Sequence, residues 1–132
     1  MSERKRILVV DDDSDIRLLL KGRLESLDYE VFLAASGEEG LVAAKSDPPD
    51  LILLDVMMPK MKGREVCAHL KADPATAGVP IIFLSALGMA DHIQAGMNLG
   101  AEDYLVKPFD PDELQRHIAI CLARHEKKPP SS

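Results

Sequence analysis

The chain has 132 residues, of which 46% are hydrophobic and 29% are charged. This length suits one domain with a single core, and the composition argues against both a membrane protein and a disordered chain. The formal net charge of −6 would repel a phosphate backbone, so we expect no direct binding of nucleic acid. No apolar segment approaches the roughly 20 residues of a membrane-spanning helix, and we expect a cytoplasmic location with no membrane partner.

Apolar segments of strand length alternate five times with segments of helical periodicity. Strands are predicted at residues 7–10, 29–34, 51–54, 80–84 and 104–106. Helices are predicted at 14–27, 37–45, 63–72 and 91–99, and Asp110-Pro111 opens a fifth. This alternation predicts an α/β fold in three layers, with a doubly wound parallel sheet of five strands between five helices. Residues 1–125 would form the domain, and 126–132 a tail or the start of a linker.

The cysteines and histidines give no metal-binding signal in this interpretation. Cys67 and Cys121 both fall within apolar helical patterns, which predicts buried free thiols rather than a disulfide or a metal pair. No ligand spacing is recognised among the histidines or between them and a cysteine. We therefore expect surface or partly buried positions for His69, His92, His117 and His125.

Chemically active side chains follow four of the five predicted strands. The first strand is followed by 11–13, three aspartates, and the others by Asp55, Ser85 and Lys107. In a doubly wound sheet, ligands bind beyond the carboxyl ends of the strands. Crowded carboxylates repel one another unless cations lie among them, and all-oxygen ligation suits Mg²⁺. A carboxylate beside Mg²⁺, a lysine and a hydroxyl has the parts needed for phosphoryl transfer.

Four motifs in this order resemble the receiver domains of two-component response regulators, from about Arg6 to Arg124. They are ILVVDDD at 7–13, LDVMMPKMKG at 54–63, LSA at 84–86 and DYLVKPF at 103–109. The resemblance implies a flavodoxin-like strand order, 2-1-3-4-5. It also implies that the chain is a phosphorylation-dependent signalling switch rather than a conventional enzyme.

The resemblance assigns roles to individual residues. It implies that Asp55 is the phosphoacceptor and that Mg²⁺ is held by Asp11, Asp12, Asp55 and the backbone carbonyl of Met57. Ser85 matches the switch hydroxyl, Lys107 the phosphate-pairing lysine, and Tyr104 the switch aromatic that turns inward on activation. Pro108 matches a proline that usually follows a cis peptide bond in this family.

The implied partners are a sensor histidine kinase or a histidine phosphotransfer protein. Output to a domain or partner, or a phosphorylation-dependent dimer, would use the fourth helix, fifth strand and fifth helix, where Ile120 is expected to be exposed. Met57 and Leu87 are apolar where the family tunes loss of phosphate, so we expect slow hydrolysis of the aspartyl phosphate.

Alternatives remain open. The pattern Asp11-Asp-Asp13 superficially fits a haloacid-dehalogenase phosphohydrolase, but Asp15 stands where that motif requires Thr or Val. A flavodoxin-like carrier would require a Gly- or Ser/Thr-rich phosphate cradle after the first strand, and a receiver that signals without phosphate would not require the complete acidic set. Asp11 and Asp12 could serve only as helix caps, and Tyr104 could be an ordinary half-buried residue at a strand edge.

Overall fold

The computed structural model describes residues 4–125 as a parallel sheet with helices on both faces. The strands are β1 (Arg6–Val10), β2 (Glu30–Ala34), β3 (Leu51–Asp55), β4 (Ile81–Ser85) and β5 (Asp103–Val106). The helices are α1 (Ser14–Glu25), α2 (Gly37–Ser46), α3 (Gly63–Ala72), α4 (Ala90–Asn98) and α5 (Pro111–Arg124). The strand order β2-β1-β3-β4-β5 confirms the predicted doubly wound fold. The predicted tail at 126–132 lies outside the described residues.

The core has two apolar layers because alternate side chains of each strand point to opposite faces of the sheet. On one face, Leu8, Ile52 and Phe83 pack in a cluster with residues of α2 and α3. On the other face, Ile7 and Leu53 pack with residues of α1 and α5. Strands that are apolar on both faces belong in a sheet covered on both sides, which explains their unbroken hydrophobic runs.

The first helix is shorter than its hydrophobic pattern predicts. It ends at Glu25 instead of Leu27, because the chain turns back toward β2. The backbone of Asp28 adopts a φ of 72°, and the N–H of Tyr29 bonds the carbonyl of Leu24 at 3.1 Å. Leu27 still packs against the core, so apolar periodicity continued past the point where the backbone left the helix.

Helix caps define where several elements begin. The Asp13 carboxylate accepts from the N–H of Asp15 at 2.9 Å, and the Ser36 hydroxyl caps α2 in the same way. Asp110 caps α5, whose first residue is Pro111. These caps satisfy N–H groups that have no partner within a helix. Among residues 4–125, none of the helices has the length and apolar character needed to cross a membrane.

Candidate functional site

Three aspartates meet beyond the carboxyl ends of β1 and β3. Asp11 and Asp12 follow β1 directly, and Asp55 is the last residue of β3. These strands are paired in parallel with Val10 opposite Leu54, so the carboxylates arrive at the same rim of the sheet. One oxygen from each carboxylate lies within 4.8 Å of the others. Asp11 is 0% exposed and Asp55 3%, whereas Asp12 is open to solvent.

Lys107 is the cation of the cluster. It follows β5, and its Nζ lies 2.8 Å from Asp11 Oδ2 and 3.6 Å from Asp55 Oδ1. Burial lowers the pKa of the Lys107 ammonium, but the hydrogen bond to Asp11 and the charges of both carboxylates outweigh it, so the pKa is raised overall. Lys107 is therefore held in its charged form against two buried acids.

Asp55 remains short of compensating charge. Burial and the charge of Asp11 raise its pKa from 3.8 to about 7, against the lowering effects of Lys107 and of a hydrogen bond from the Met57 N–H. The Met57 N–H donates to Asp55 Oδ1 at 3.1 Å. One lysine therefore does not neutralise the charge of three clustered carboxylates, and a bound dication would supply the missing positive charge.

The loop that follows Asp55 is fixed by close packing of backbone on backbone. The N–H of Gly63, at the start of α3, bonds the carbonyl of Val56 at 3.0 Å. A Cβ on Gly63 would lie 2.1 Å from the carbonyl oxygen of Asp55, which no side chain could tolerate. Glycine at this position therefore allows α3 to hold the Asp55–Val56 backbone in place.

The donor set of the three aspartates fits Mg²⁺. Every side-chain donor is a carboxylate oxygen, the ligand type that hard divalent cations prefer. Asp12, on the solvent side, leaves space for the water molecules that Mg²⁺ retains. The structure thus brings Asp11, Asp12, Asp55 and Lys107 together. Ser85 ends β4, the strand that pairs with β3.

Ser85 and Tyr104 are linked through one residue of the β4–α4 loop. Ser85 ends β4, is fully buried, and its Oγ accepts from the N–H of Leu87 at 3.0 Å. The carbonyl of the same residue accepts from the Tyr104 hydroxyl at 2.7 Å. Leu87 is therefore bonded to Ser85 through its backbone N–H and to Tyr104 through its backbone carbonyl.

Tyr104 points inward, beneath α4. It is buried, and its ring packs at a tilt against Phe83, with 6.1 Å between the ring centroids. Gly96 of α4 allows this arrangement, because a Cβ there would lie 3.0 Å from the Phe83 ring and 3.2 Å from the Tyr104 ring. The alternative of a half-buried tyrosine at a strand edge is therefore wrong for this structure.

An apolar cavity of about 350 Å³ lies beside the acidic cluster. It is lined by Ile16, Leu19, Ala86, Lys107, Pro108 and Phe109. The Lys107–Pro108 peptide bond is cis, as the sequence motif implied. Leu19 of α1 lines this opening and is about half exposed, so the approach to Lys107 is bordered by accessible hydrophobic surface.

Comparison with known families decides what kind of site this is. A family model described as the response regulator receiver domain matches residues 7–119. The chain belongs to this family. The match includes β1 from Ile7 onward, the other four strands in full and the three aspartates, so the sheet and the acidic rim are covered by the same alignment.

The receiver domain is similar in sequence to several transcriptional regulators. It is 49% identical over 124 residues to the probable transcriptional regulator ycf27 of Cyanophora paradoxa, covering 93% of this chain and 50% of that one. It is 44% identical over 128 residues to the alkaline phosphatase synthesis transcriptional regulatory protein PhoP of Bacillus subtilis, covering 97% of this chain and 52% of that one. The chain spans about half the length of these curated relatives.

Solved structures share the fold of the receiver domain closely. The chemotaxis protein CheY4 of Vibrio cholerae superimposes with a TM-score of 0.86 at 33% identity, covering 90% of this chain and 99% of that one. A CheY-like receiver domain protein from Methanospirillum hungatei gives a TM-score of 0.89 at 32% identity, covering 96% and 100%.

Sequence reasoning missed how the receiver domain connects its site residues. Ser85 and Tyr104 were identified separately, and Leu87 was considered only for its apolar side chain, although its backbone bonds both residues. Backbone groups carry both bonds to Leu87, and every residue type offers those groups. No residue type could therefore have signalled the connection; only the fold could show it.

Proposed function

We propose that this receiver domain is the phosphoacceptor of a two-component system or phosphorelay. The observation that carries the proposal is a buried aspartate, Asp55, placed between two further aspartates and the ammonium of Lys107 at one rim of the sheet. The phosphoryl donor is a phosphohistidine on a sensor histidine kinase or a histidine phosphotransfer protein. The product is an aspartyl phosphate that changes the conformation of the domain.

The transfer needs a nucleophile and positive charge. A carboxylate oxygen of Asp55 attacks phosphorus while the bond from phosphorus to the imidazole nitrogen breaks, and the leaving imidazole takes a proton from solvent. Lys107 is close enough to bind a phosphoryl oxygen after a small movement away from Asp11. The Ser85 hydroxyl, whose oxygen already accepts from Leu87, retains a proton to donate to a second phosphoryl oxygen.

The ligand set that we propose for Mg²⁺ is Asp11, Asp12, Asp55 and the backbone carbonyl of Met57. When bound, the metal supplies charge that neutralises the phosphoryl oxygens as they approach. The raised pKa of Asp55 supports this assignment, because a group protonated near pH 7 is a poor nucleophile until positive charge lowers its pKa. Asp12 is the one exposed aspartate of the set, so it is the carboxylate that meets the ion first.

The switch proposed here passes through Leu87. When the Ser85 hydroxyl turns toward the phosphoryl group, its bond with the Leu87 N–H changes, and the carbonyl of Leu87 is bonded to Tyr104. Inward packing of Tyr104 would then be favoured, which biases an equilibrium that already exists between two arrangements. If phosphorylation left the amide chemical shifts of α4 and β5 unchanged, this part of the proposal would fail.

The partner surfaces follow from the apolar side chains left exposed. The cavity beside Lys107, lined in part by the exposed Leu19, suits a partner that presents phosphohistidine to Asp55. Output, or a phosphorylation-dependent dimer, would use α4, β5 and α5, each of which exposes one apolar residue: Met97, Val106 and Ile120 respectively. The longer relatives are named transcriptional regulators, which favours an output on transcription and a cytoplasmic location.

Acetyl phosphate provides a direct test. The wild-type chain is incubated with acetyl phosphate and Mg²⁺, and its intact mass is measured at low temperature. One added phosphoryl group is expected in the wild type, and none in Asp55→Asn or after chelation of Mg²⁺. Asp13→Asn is the matched control, because it changes an exposed capping carboxylate two residues from Asp11, and it should still be phosphorylated. Phosphorylation of Asp55→Asn to the wild-type extent would refute the assignment.

The same preparation tests two further expectations. Met57 and Leu87 line one cavity together with Val56, the residue that follows Asp55, and we expect the aspartyl phosphate to persist for longer than a few seconds. A faster release of inorganic phosphate would contradict this. Sustained turnover of p-nitrophenyl phosphate would instead favour the phosphohydrolase alternative.

A further inference from the structure

Three side chains of different chemistry meet near the opposite end of β5 from the acidic rim. Glu102 immediately precedes β5, Cys121 lies in the last turns of α5, and His125 is the residue that closes α5. One donor atom of each lies within 4.8 Å of the other two. The Nε2 of His125 is 2.8 Å from Oε1 of Glu102. We call these three residues the α5 cluster.

The backbone holds the α5 cluster in position. Cys121 and His125 are four residues apart, so they project from the same face of α5. The N–H of His125 bonds the carbonyl of Cys121 at 3.2 Å, which keeps the helical turn closed at this point. The N–H of Glu102 bonds the carbonyl of Ile81 at 2.8 Å, which fixes the strand side. With the backbone fixed in this way, the donor atoms adjust their distances by side-chain rotation.

The surroundings of the α5 cluster are open and acidic. A cavity of about 180 Å³ is lined by Glu102, Asp103, His117, Ile120, Cys121 and Arg124. His117 is hydrogen-bonded to the Asp103 carboxylate, one helical turn before Cys121. Among residues 4–125, Arg124 is the arginine or lysine that pairs with Glu102, at 3.8 Å, and its side chain is 65% exposed, so it provides only weak compensation.

The donor types select among metals. A thiol sulfur, an imidazole nitrogen and a carboxylate oxygen are the ligands that Zn²⁺ uses, and Mg²⁺ prefers oxygen alone. Bonds to Zn²⁺ of about 2.3 Å from sulfur and about 2.0–2.1 Å from nitrogen and oxygen place donors about 3–4 Å apart in a tetrahedron. Glu102 and His125 already lie 2.8 Å apart, so the adjustment falls on their distances to Cys121 Sγ, which must be about 3–4 Å. His125, exposed at the end of its helix, has the freedom to make this adjustment.

We propose that Glu102, Cys121 and His125 form a binding site for Zn²⁺ or another borderline-soft divalent transition metal, with water in the fourth position. Binding exchanges the thiol proton of Cys121 for the metal and releases that proton to solvent. Burial and the charges of Glu102 and Asp103 raise the pKa of Cys121 to about 11, and the same negative charges attract a dication. A bound metal would tie the end of α5 to the start of β5.

Cobalt absorption gives the sharpest test, because only a cysteine ligand produces a thiolate-to-cobalt charge-transfer band. The full chain is titrated with Co²⁺ in excess Mg²⁺, which occupies the acidic rim, and the Co²⁺ is then displaced by Zn²⁺. We expect the band in the wild type and its loss in Cys121→Ser. Cys67→Ser is the matched control, because the other buried cysteine lies in the opposite core cluster, and it should keep the band.

Two further variants separate a ligand role from a folding defect. His125→Gln changes an exposed side chain, and Glu102→Gln keeps the shape of its side chain. Each should weaken Co²⁺ binding by at least about tenfold. His69→Gln, on the exposed side of α3, should leave it unchanged. A wild type without the band, a band that persists in Cys121→Ser, or equal affinities in His125→Gln and His69→Gln would overturn the proposal. Asp55→Asn should retain the band, because this site does not depend on phosphorylation.

Discussion

Replacing Asp55 with asparagine should stabilise the receiver domain when Mg²⁺ is removed. Burial and the charge of Asp11 raise the pKa of Asp55 to about 7. The folded state therefore binds a proton more tightly than the unfolded chain, where the value is near 3.8. Stability must fall as the pH rises from about 4 to about 7, because the folded state has to release that proton. Asparagine keeps the shape of the side chain and carries no charge.

The structure sets the size of the effect. The interval from 3.8 to about 7, at about 1.36 kcal/mol per pH unit, gives an upper bound of about 4 kcal/mol above pH 7. Asp55 is only 3% exposed, so solvent screens little of this. The asparagine oxygen can still accept from the Met57 N–H, and Lys107 keeps its bond to Asp11. We expect Asp55→Asn to raise the free energy of unfolding by about 2–4 kcal/mol at pH 8.

Urea denaturation in EDTA at pH 5, 6, 7 and 8 measures this directly. The gain should be largest at pH 8 and should shrink toward pH 5, where wild-type Asp55 is already protonated. Asp13→Asn is the control, because asparagine caps a helix as well as aspartate, and its effect should be near zero at every pH. Adding Mg²⁺ should stabilise the wild type more than Asp55→Asn. A gain of equal size at pH 5 and pH 8 would refute the electrostatic reasoning.

Three further predictions concern the groups around Asp55. In urea denaturation, Gly63→Ala should destabilise the domain by more than about 2 kcal/mol, and it should also abolish phosphorylation. Gly22→Ala is the control: nothing lies within 4 Å of the added Cβ, so this change should stabilise α1 by up to about 1 kcal/mol. Tyr104→Phe should cost about 1 kcal/mol in the same assay, because the Leu87 carbonyl loses its partner, and an unchanged midpoint would contradict that bond. Lys107→Met should raise the pKa of Asp55 above about 7 in a carboxyl NMR titration, and a lowered pKa would show that Lys107 is not its main stabilising cation.

Most of the fold could be predicted from the sequence because buried parallel strands are continuous apolar runs of strand length. Five apolar runs, separated by helical periodicity, allow few arrangements other than a sheet covered on both faces. The strand order came from the family resemblance instead, because periodicity does not report which strands are neighbours. The end of α1 was missed because Leu27 is apolar and packs, partly buried, against the core, although the helix has already ended and the backbone turns at Asp28.

The candidate site was predictable as a set of residues but not as a network. Strand ends in a parallel sheet converge, so the acids, Ser85 and Lys107 could be grouped without coordinates. Their separations and the bonds made by Leu87 depend on loop backbone, which has no sequence signature of its own.

No ligand spacing between a histidine and a cysteine was predicted, whereas the structure places donor atoms of Cys121 and His125 within 4.8 Å of each other. The positions 117, 121 and 125 repeat every four residues on α5, a spacing that places a cysteine between two histidines on one helical face. Cys121 also belongs to the apolar pattern of α5, which correctly predicted its burial but gives no sign of the two histidines on the same face.

The missing side chain at Gly96 has a consequence for which residues α4 tolerates at this position. Gly96 is the only buried residue of this helix, so the helix rests on the Phe83 and Tyr104 rings through its bare backbone and has few apolar anchors of its own. A Cβ at this position would lie 3.0 Å from the Phe83 ring and 3.2 Å from the Tyr104 ring, so Gly96→Ala requires the rings or the helix to shift by a few tenths of an ångström. Alanine favours a helix more than glycine does, but here that gain would be offset by crowding at the contact that seats α4 on the sheet.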